Sequence, residues 1–455
     1  MPAGKSFLMG TLSDQARERF WIIGSLLLIL LTALFLRYAS GISGAGPRFD
    51  EKYITIPMFE LMESGWSVET AIDYEETKGP ALIWPYALLG NWFGGDLAGL
   101  RQVSCLLFVL SGIPLLLLSL RCGVTGVNLL LAMLGFMLLP YELVLSQLVM
   151  GEVSFVFGAL FLVLSVLWGV GGFRRSDALQ PERGHPVAGP IVYCLLLFVL
   201  LHSRVHAVAL AGAACLAVWQ LSGIRSWPWW LASIVAGLLR IPLWVRWGGL
   251  VSPEYQNLHG LGFRLESLTY LGAALVPLVG VFLIVFLWRY RYCRWWFLAP
   301  LGALLGLGLA LVAMPDLSIP EVLDTTVQHD RYQGVLATAV LLAGGGGQLT
   351  VLLLGFACVI GLASLGAFAA LAFELPPDEG LGLLARLQVW ALIIGCGLYM
   401  LTRGFVFDRF LLVWAVALSI LWCRLLPRWL LGMQLLAMLV IAGRLVGVWL
   451  WQSPA

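Results

Sequence analysis

The sequence predicts an all-α, polytopic transmembrane bundle of about 13 spans. Three observations carry that reading. Mean hydropathy is +0.93, with 60% hydrophobic and 11% charged residues. Apolar runs recur along the whole chain near the ~20 residues needed to cross ~30 Å of hydrocarbon. Arginines gather in alternate connections between those runs, as the positive-inside bias requires. A net charge of +2 gives no electrostatic footprint for a nucleic-acid partner. The 8 cysteines all fall in or at the ends of apolar segments and none forms a C-x-x-C pair, so they read as packing residues, without a disulfide framework or zinc site.

Residues 1–19 form a short polar tail carrying Lys5, Arg17 and Arg19, ahead of an apolar run at 20–36. Basic residues before the first span place the N-terminus in the cytoplasm. Small residues follow at 39–46, as after a cleaved signal peptide. The apolar run is long for one, however, and Arg37 interrupts before they begin, so a retained anchor is expected. The first loop then lies outside, periplasmic or lumenal. Within it, residues 53–62 carry Ile54, Ile56, Met58, Phe59 and Leu61 around Glu60 and are expected to lie along the interface. Residues 80–93, short and interrupted by Pro80 and Pro85, read as a second juxtamembrane helix. Further spans are expected at 102–119, 124–140, 152–171, 190–201, 207–221, 227–247, 268–288, 295–314, 349–373, 387–401, 410–422 and 429–451, with room for another at 335–348. The whole, 1–455, reads as one membrane domain whose longest outer loop, 37–101, is the first.

That loop concentrates charge that bilayer insertion does not require, from Arg48, Asp50 and Glu51 to Asp73, Glu75, Glu76 and Lys78. Loops of polytopic proteins collect charge in any case. Two further features separate this chain from that background. Arg48, Lys52, Lys78, Arg204, Arg264, Arg331, Arg403 and Arg409 all fall on the outer side, against the topological bias; either they hold an anionic ligand there or they snorkel to lipid phosphates. Glu152 opens an otherwise apolar helix, where a carboxylate is costly unless paired or used, although the helix macrodipole favours an acid there. A carboxylate facing an acceptor hydroxyl can act as general base, and cations opposite can stabilise a departing phosphate. His202 and His206 are spaced to share one helical face beside Arg204, and His329-Asp330-Arg331-Tyr332 is the most polar outer cluster after the first loop. There is no P-loop and no GxGxxG after a strand, which argues against a nucleotide donor.

The first span followed by Asp50-Glu51, an amphipathic segment and Lys78-Gly79-Pro80-Ala81-Leu82 resembles the GT-C glycosyltransferases that use polyprenyl-phosphate sugars, among them protein O-mannosyltransferases and lipid A aminoarabinose transferases. Gly79 stands where that family usually has the first of two prolines. Leu100-Arg101-Gln102-Val103-Ser104 is similar to the family's Arg-led second span, Gly151-Glu152-Val153-Ser154-Phe155 to the place of its second outer acid, and Phe407-Asp408-Arg409-Phe410-Leu411-Leu412 to its late Arg-Tyr-Leu-Leu-Pro run. The resemblance implies inverting transfer of a sugar from a polyprenyl-phosphate-linked donor to a lipid, glycan or protein acceptor, in the bacterial inner (plasma) membrane among its lipids. It implies Asp50 as catalytic base and Glu51 as a substrate or metal contact. Lys78, Glu152, His202, Arg204, His206, His329, Arg331 and Arg409 would bind substrate or phosphate, and a divalent metal is a cofactor to be tested. The alternative of another class is a transporter or flippase of a lipid-linked saccharide, which needs a polar path and often repeated halves. No repeat is visible, and Arg240 and Arg444 are the main ionisable residues expected within spans. A glycan polymerase or ligase, with its large outer loop late in the chain, is a third reading.

Overall fold

In a computed structural model, residues 5–73, 76, 78–171, 188–249, 251–253, 261–317, 332–345, 347–376, 379–402 and 406–452 are described. They form a helical membrane bundle. Helix α1 (Lys5–Ser40) has 36 residues, about 54 Å at 1.5 Å per residue, so it outruns the hydrocarbon. Then come α2 (Glu51–Ser64), α3 (Val68–Ile72) and α4 (Pro80–Trp92), followed by α5 (Leu97–Arg121), α6 (Val127–Met137), the single turn α7 (Glu142–Leu145) and α8 (Glu152–Gly171). The middle of the chain supplies α9 (Ala188–Ser203), α10 (Ala207–Ser222), α11 (Trp227–Leu238), α12 (Ile241–Trp247), α13 (Leu265–Ala274) and α14 (Val276–Arg289). The rest is α15 (Leu298–Val312), α16 (Val335–Gly344), α17 (Gln348–Glu374), α18 (Gly380–Met400), α19 (Leu418–Leu425) and α20 (Arg428–Val446). Two short strands, β1 (Tyr332–Gln333) and β2 (Val406–Phe407), pair in parallel at one end of the bundle.

Seven described stretches are long and apolar enough to cross a membrane, and an eighth if the bent pair α13–α14 counts as one. That pair turns by 68° where Pro277, in the first turn of α14, has no N–H to continue the ladder. The stretch Ala207–Trp247 is not one continuous helix. Cys215 Sγ lies 3.2 Å from Ser233 Oγ, whereas 18 residues of straight helix would separate them by about 27 Å. The chain reverses at Gly223, whose φ of 54° opens the left-handed side of the map, so α10 and α11 are an antiparallel pair.

Of the about 13 expected spans, that at 410–422 is absent, and those at 124–140, 190–201 and 295–314 appear as the shorter apolar helices α6, α9 and α15, of 11, 16 and 15 residues. Residues 410–422 form a 3₁₀ turn (Asp408–Val413) and the first half of α19, and Leu411 to Trp422 are buried in the bundle core. An apolar run records burial without recording whether lipid or protein does the burying. The juxtamembrane pair is present, but α2 does not lie loose on the interface: Ile54, Met58 and Leu61 are fully buried, and α2 packs on α4. In the region left open at 335–348, α16 covers Val335–Gly344.

What ties the outer loop to this bundle is a buried ion pair. Glu51, at the start of α2, meets Arg101 in the first turns of α5, and both side chains are 0% exposed. Glu51 Oε1 accepts from Arg101 Nε (2.9 Å) and the Val149 N–H (2.8 Å), while Oε2 accepts from Arg101 Nη2 and the Arg48 N–H (2.9 Å). Arg101 spends its remaining donors on the Ile42, Ala45 and Gly46 carbonyls. Every lone pair and proton is used, which is the condition for a buried pair to be tolerable.

Lys78 and Gly79 are docked in the same manner. The Gly79 N–H donates to the Ser203 carbonyl at 2.8 Å, and a Cβ on Gly79 would lie 1.9 Å from the His202 carbonyl oxygen. A proline here would lose the hydrogen bond as well as the space, which is why this chain departs from the proline of the resembling family.

Two stability tests follow from these contacts. Gly79→Ala is expected to lower the thermal midpoint of the detergent-solubilised protein, at a cost of about 1–3 kcal/mol, whereas Gly443→Ala, with open space around it, leaves the midpoint unchanged or raises it. Glu51→Leu or Arg101→Leu alone should cost about 3–5 kcal/mol in denaturant unfolding, and the double Leu variant clearly less than either single change.

Candidate active site

Asp50 caps the N-terminal end of α2, and Arg409 rises from the Asp408–Val413 turn to meet it, Nη2 to Oδ2 at 2.6 Å across 359 residues of sequence. The Arg409 side chain is 6% exposed; that of Asp50 is 37% exposed, so the pair has one open side. The same guanidinium presents Nε to Glu152 Oε1 at 3.5 Å and lies over the Phe407 ring at 4.3 Å from its centroid. Glu152 opens α8 after Gly151, whose φ of 81° and crowding by Leu82 admit no side chain. Arg204, one residue past α9, donates to the Met150 carbonyl at 2.7 Å and reaches Glu152 Oε1 at 3.2 Å. Lys78 pairs with Glu76 at 2.7 Å. Burial alone would raise the Asp50 carboxyl, but Arg409, with Lys78 and Arg204, holds it down at about 2. Three cations and three carboxylates from five separate segments thus share one end of the bundle.

Backbone strain marks the same place. Among the described residues, Phe49 (φ 51°) and Tyr141 (φ 73°) are the non-glycine residues with positive φ, a conformation costing about 1–3 kcal/mol each. Both pack on Trp449, Phe49 stacked at 4.1 Å and Tyr141 edge-on at 5.5 Å. Arg48 donates to the Trp449 and Leu450 carbonyls at 2.9 and 3.0 Å, so that arginine braces the loop. The Tyr141 hydroxyl donates to Asp408 Oδ1 at 2.6 Å, and the Leu336 N–H to Oδ2 at 2.8 Å, fixing the turn that carries Arg409. Burial raises the Asp408 carboxyl to about 6 despite those donors. Arg101, Tyr141, Asp408 and Trp449 are supports whose roles sequence reading did not assign, although Arg101 and Asp408 stand within the stretches that resemble the family.

Several expected site residues sit elsewhere. Glu51 does not reach substrate or metal, because its oxygens are filled by the Arg101 clasp. His202 and His206 do not share a helical face: α9 ends at Ser203 and α10 begins at Ala207. His202 Nδ1 bonds the Phe198 carbonyl of its own helix at 2.9 Å and turns from the cluster. His206 bonds the Tyr399 hydroxyl through Nε2 and stacks with Tyr399 and Phe410, forming an aromatic wall whose Tyr399 feels the charges of Arg204, Arg409 and Glu152. Arg240, expected within a span, lies beside the Gly79 loop, donating to the Leu201 carbonyl and facing Trp244 and Trp247. His329 and Arg331 lie outside the described residues. The donor set does not fit a divalent ion: Asp50 and Glu152 already face guanidinium groups, and no three His, Cys, Asp or Glu converge among the described residues.

No family model matches the chain, and no curated protein matches it. Among solved structures, the crystal structures of ArnT from Cupriavidus metallidurans in the apo state and bound to undecaprenyl phosphate are similar to it, with TM-scores of 0.43 and 0.42 and identities of 13% and 14%. The alignments cover 93% and 94% of this chain and 77% and 78% of those chains. A likeness of that degree carries no argument about what this chain does, which rests on the geometry of its own residues.

Proposed function

We propose that the chain is an integral membrane glycosyltransferase, transferring a sugar with inversion from a polyprenyl-phosphate donor to an acceptor hydroxyl. The observation that supports this reading is the half-open Asp50 carboxylate beside a buried Arg409, with Arg204 and Lys78 behind it. Inverting transfer needs a base and a phosphate site only a few ångströms apart, on opposite sides of one anomeric carbon. Asp50 takes the proton of the acceptor hydroxyl as its oxygen bonds to that carbon. The bond from the carbon to the phosphate oxygen breaks, and the electron pair leaves with the lipid phosphate. Charge on the phosphate grows along this path, which is where Arg409 and Arg204 act more strongly on the transition state than on the donor. In the resting site Asp50, at about 2, is a weak base. A phosphate that draws Arg409 toward itself relaxes that hold and strengthens the base at the moment it is used.

The orientation belongs to the same proposal. Arg17, Arg19, Arg121, Arg225, Arg289 and Arg424 lie exposed at the end of the bundle away from Asp50. At the Asp50 end Lys78, Arg204 and Arg409 are paired with carboxylates, Arg48, Arg101 and Arg240 engage carbonyls, and Lys52 is exposed. Positive-inside sorting then puts the site outside the cytoplasm, at the periplasmic face of an inner membrane.

With a radiolabelled polyprenyl-phosphate sugar in proteoliposomes, Asp50→Asn is expected to lower kcat about 10²–10⁴-fold while the protein stays folded and monodisperse; wild-type turnover would remove Asp50 from its role. For orientation, a cysteine at Glu63 should react with a membrane-impermeant maleimide on intact cells and one at Ile224 only after permeabilisation. The reverse pattern would put the site in the cytoplasm.

A further inference from the structure

Behind Glu152 lies an acid that the proposed mechanism does not use. Glu142 opens α7, one residue after the strained Tyr141, and is 0% exposed. Among the described residues, neither of its carboxyl oxygens has a hydrogen-bond partner, and neither oxygen of Glu152 has one beyond the arginine contacts at 3.2 and 3.5 Å. Two fully buried carboxylates on helices that pack together, the charge of Glu152 opposing ionisation of Glu142, cannot both stay ionised at modest cost. The elements packed on α7 are α6, α8 and α20. Helix α6 carries no charged residue, α8 presents Glu152, and the arginines of α20, Arg428 and Arg444, are exposed. The neighbouring Tyr141 hydroxyl is spent on Asp408. Among the described residues, Glu142 thus feels the like charge of Glu152 and pairs with no cation, whereas Glu152 pairs with two.

We infer that Glu142 is a positioning residue that holds a proton for the pair: as a neutral acid it keeps the carboxyls at one negative charge, so that the arginine cluster can accept a phosphodiester anion. The inference rests on the phosphate-binding reading above. With Glu142 neutral, Asp50, Glu76 and Glu152 offset Arg204, Arg409 and Lys78, and Asp408 beside Arg409, its carboxyl pushed up to about 6, is the further carboxylate ionised at neutral pH. With Glu142 ionised as well, an incoming phosphate meets a cluster one charge more negative. Burial and the Glu152 charge push the Glu142 carboxyl up to about 8, so the proton is held at neutral pH and lost just above it. The sign is that of a raised acid: its favourable form is complete well below pH 8 and disappears as pH rises through it.

The test is equilibrium binding of a polyprenyl methyl phosphodiester, whose single ionised oxygen does not titrate between pH 7 and 9, to the full chain in nanodiscs. Wild-type affinity is expected to fall about tenfold from pH 7 to pH 9. Glu142→Gln, which cannot ionise, should show no such fall whatever its absolute affinity, and Glu142→Leu should agree with it. A wild-type affinity that is flat with pH overturns the inference while leaving the transferase reading intact, and so does a fall that survives in Glu142→Gln. Failure of the folded wild-type protein to bind the phosphodiester at any pH overturns the transferase reading itself, and the inference with it.

Discussion

A guanidinium taken out of water must be paired, and Arg409 is paired twice, with Asp50 at 2.6 Å and Glu152 at 3.5 Å. That constraint organises the end of the bundle where the charges meet. Asp50 comes from the loop after α1, Glu152 from the start of α8, Arg204 from the break between α9 and α10, and Arg409 from a 3₁₀ turn late in the chain. None of these segments is held there by its own secondary structure; each ends at the same surface because a helix delivers it. Removing Arg409 would leave Asp50 without its partner and the buried Glu152 with Arg204 alone, a larger penalty than the pairs' own net contribution.

The partners are held in register by groups that do no chemistry. The Glu51–Arg101 clasp ties the first loop to α5 and to the Val149 strand of chain ahead of α8, so the neighbours of Asp50 and Glu152 share one anchor. Trp449 supports two strained residues, Phe49 before Asp50 and Tyr141 before Glu142, and the Tyr141 hydroxyl reaches on to Asp408 beside Arg409. Strain that persists at two neighbouring points against one indole marks a place that the surrounding packing over-determines.

Much of this was legible in the sequence, and the reason lies in the solvent. In a chain with 11% charged residues, each ionisable group inside or beside an apolar run stands out, and Asp50, Glu152, Arg204 and Arg409 stand out for that reason. The alternation of apolar runs and the glycine at 223 mark most helices and the reversal between α10 and α11. What could not be read depends on partners far away in sequence. Asp50 and Glu51 are adjacent carboxylates, and only the position of Arg101, 50 residues on, decides that one is sealed and the other open. His202 and His206 keep helical spacing, yet the helix breaks between them, with the Lys78-Gly79 loop docked on the carbonyls at the break. The run at 410–422 is as apolar as a span because protein, not lipid, surrounds it.

The most direct test of the account is a cryo-EM structure of the chain with polyprenyl phosphate bound. The account predicts phosphate oxygens within hydrogen-bonding reach of both Arg409 and Arg204, with the Arg409 guanidinium drawn away from Asp50 and the carboxylate left facing open space. Phosphate density elsewhere on the bundle, with the Asp50–Arg409 pair undisturbed, would contradict it.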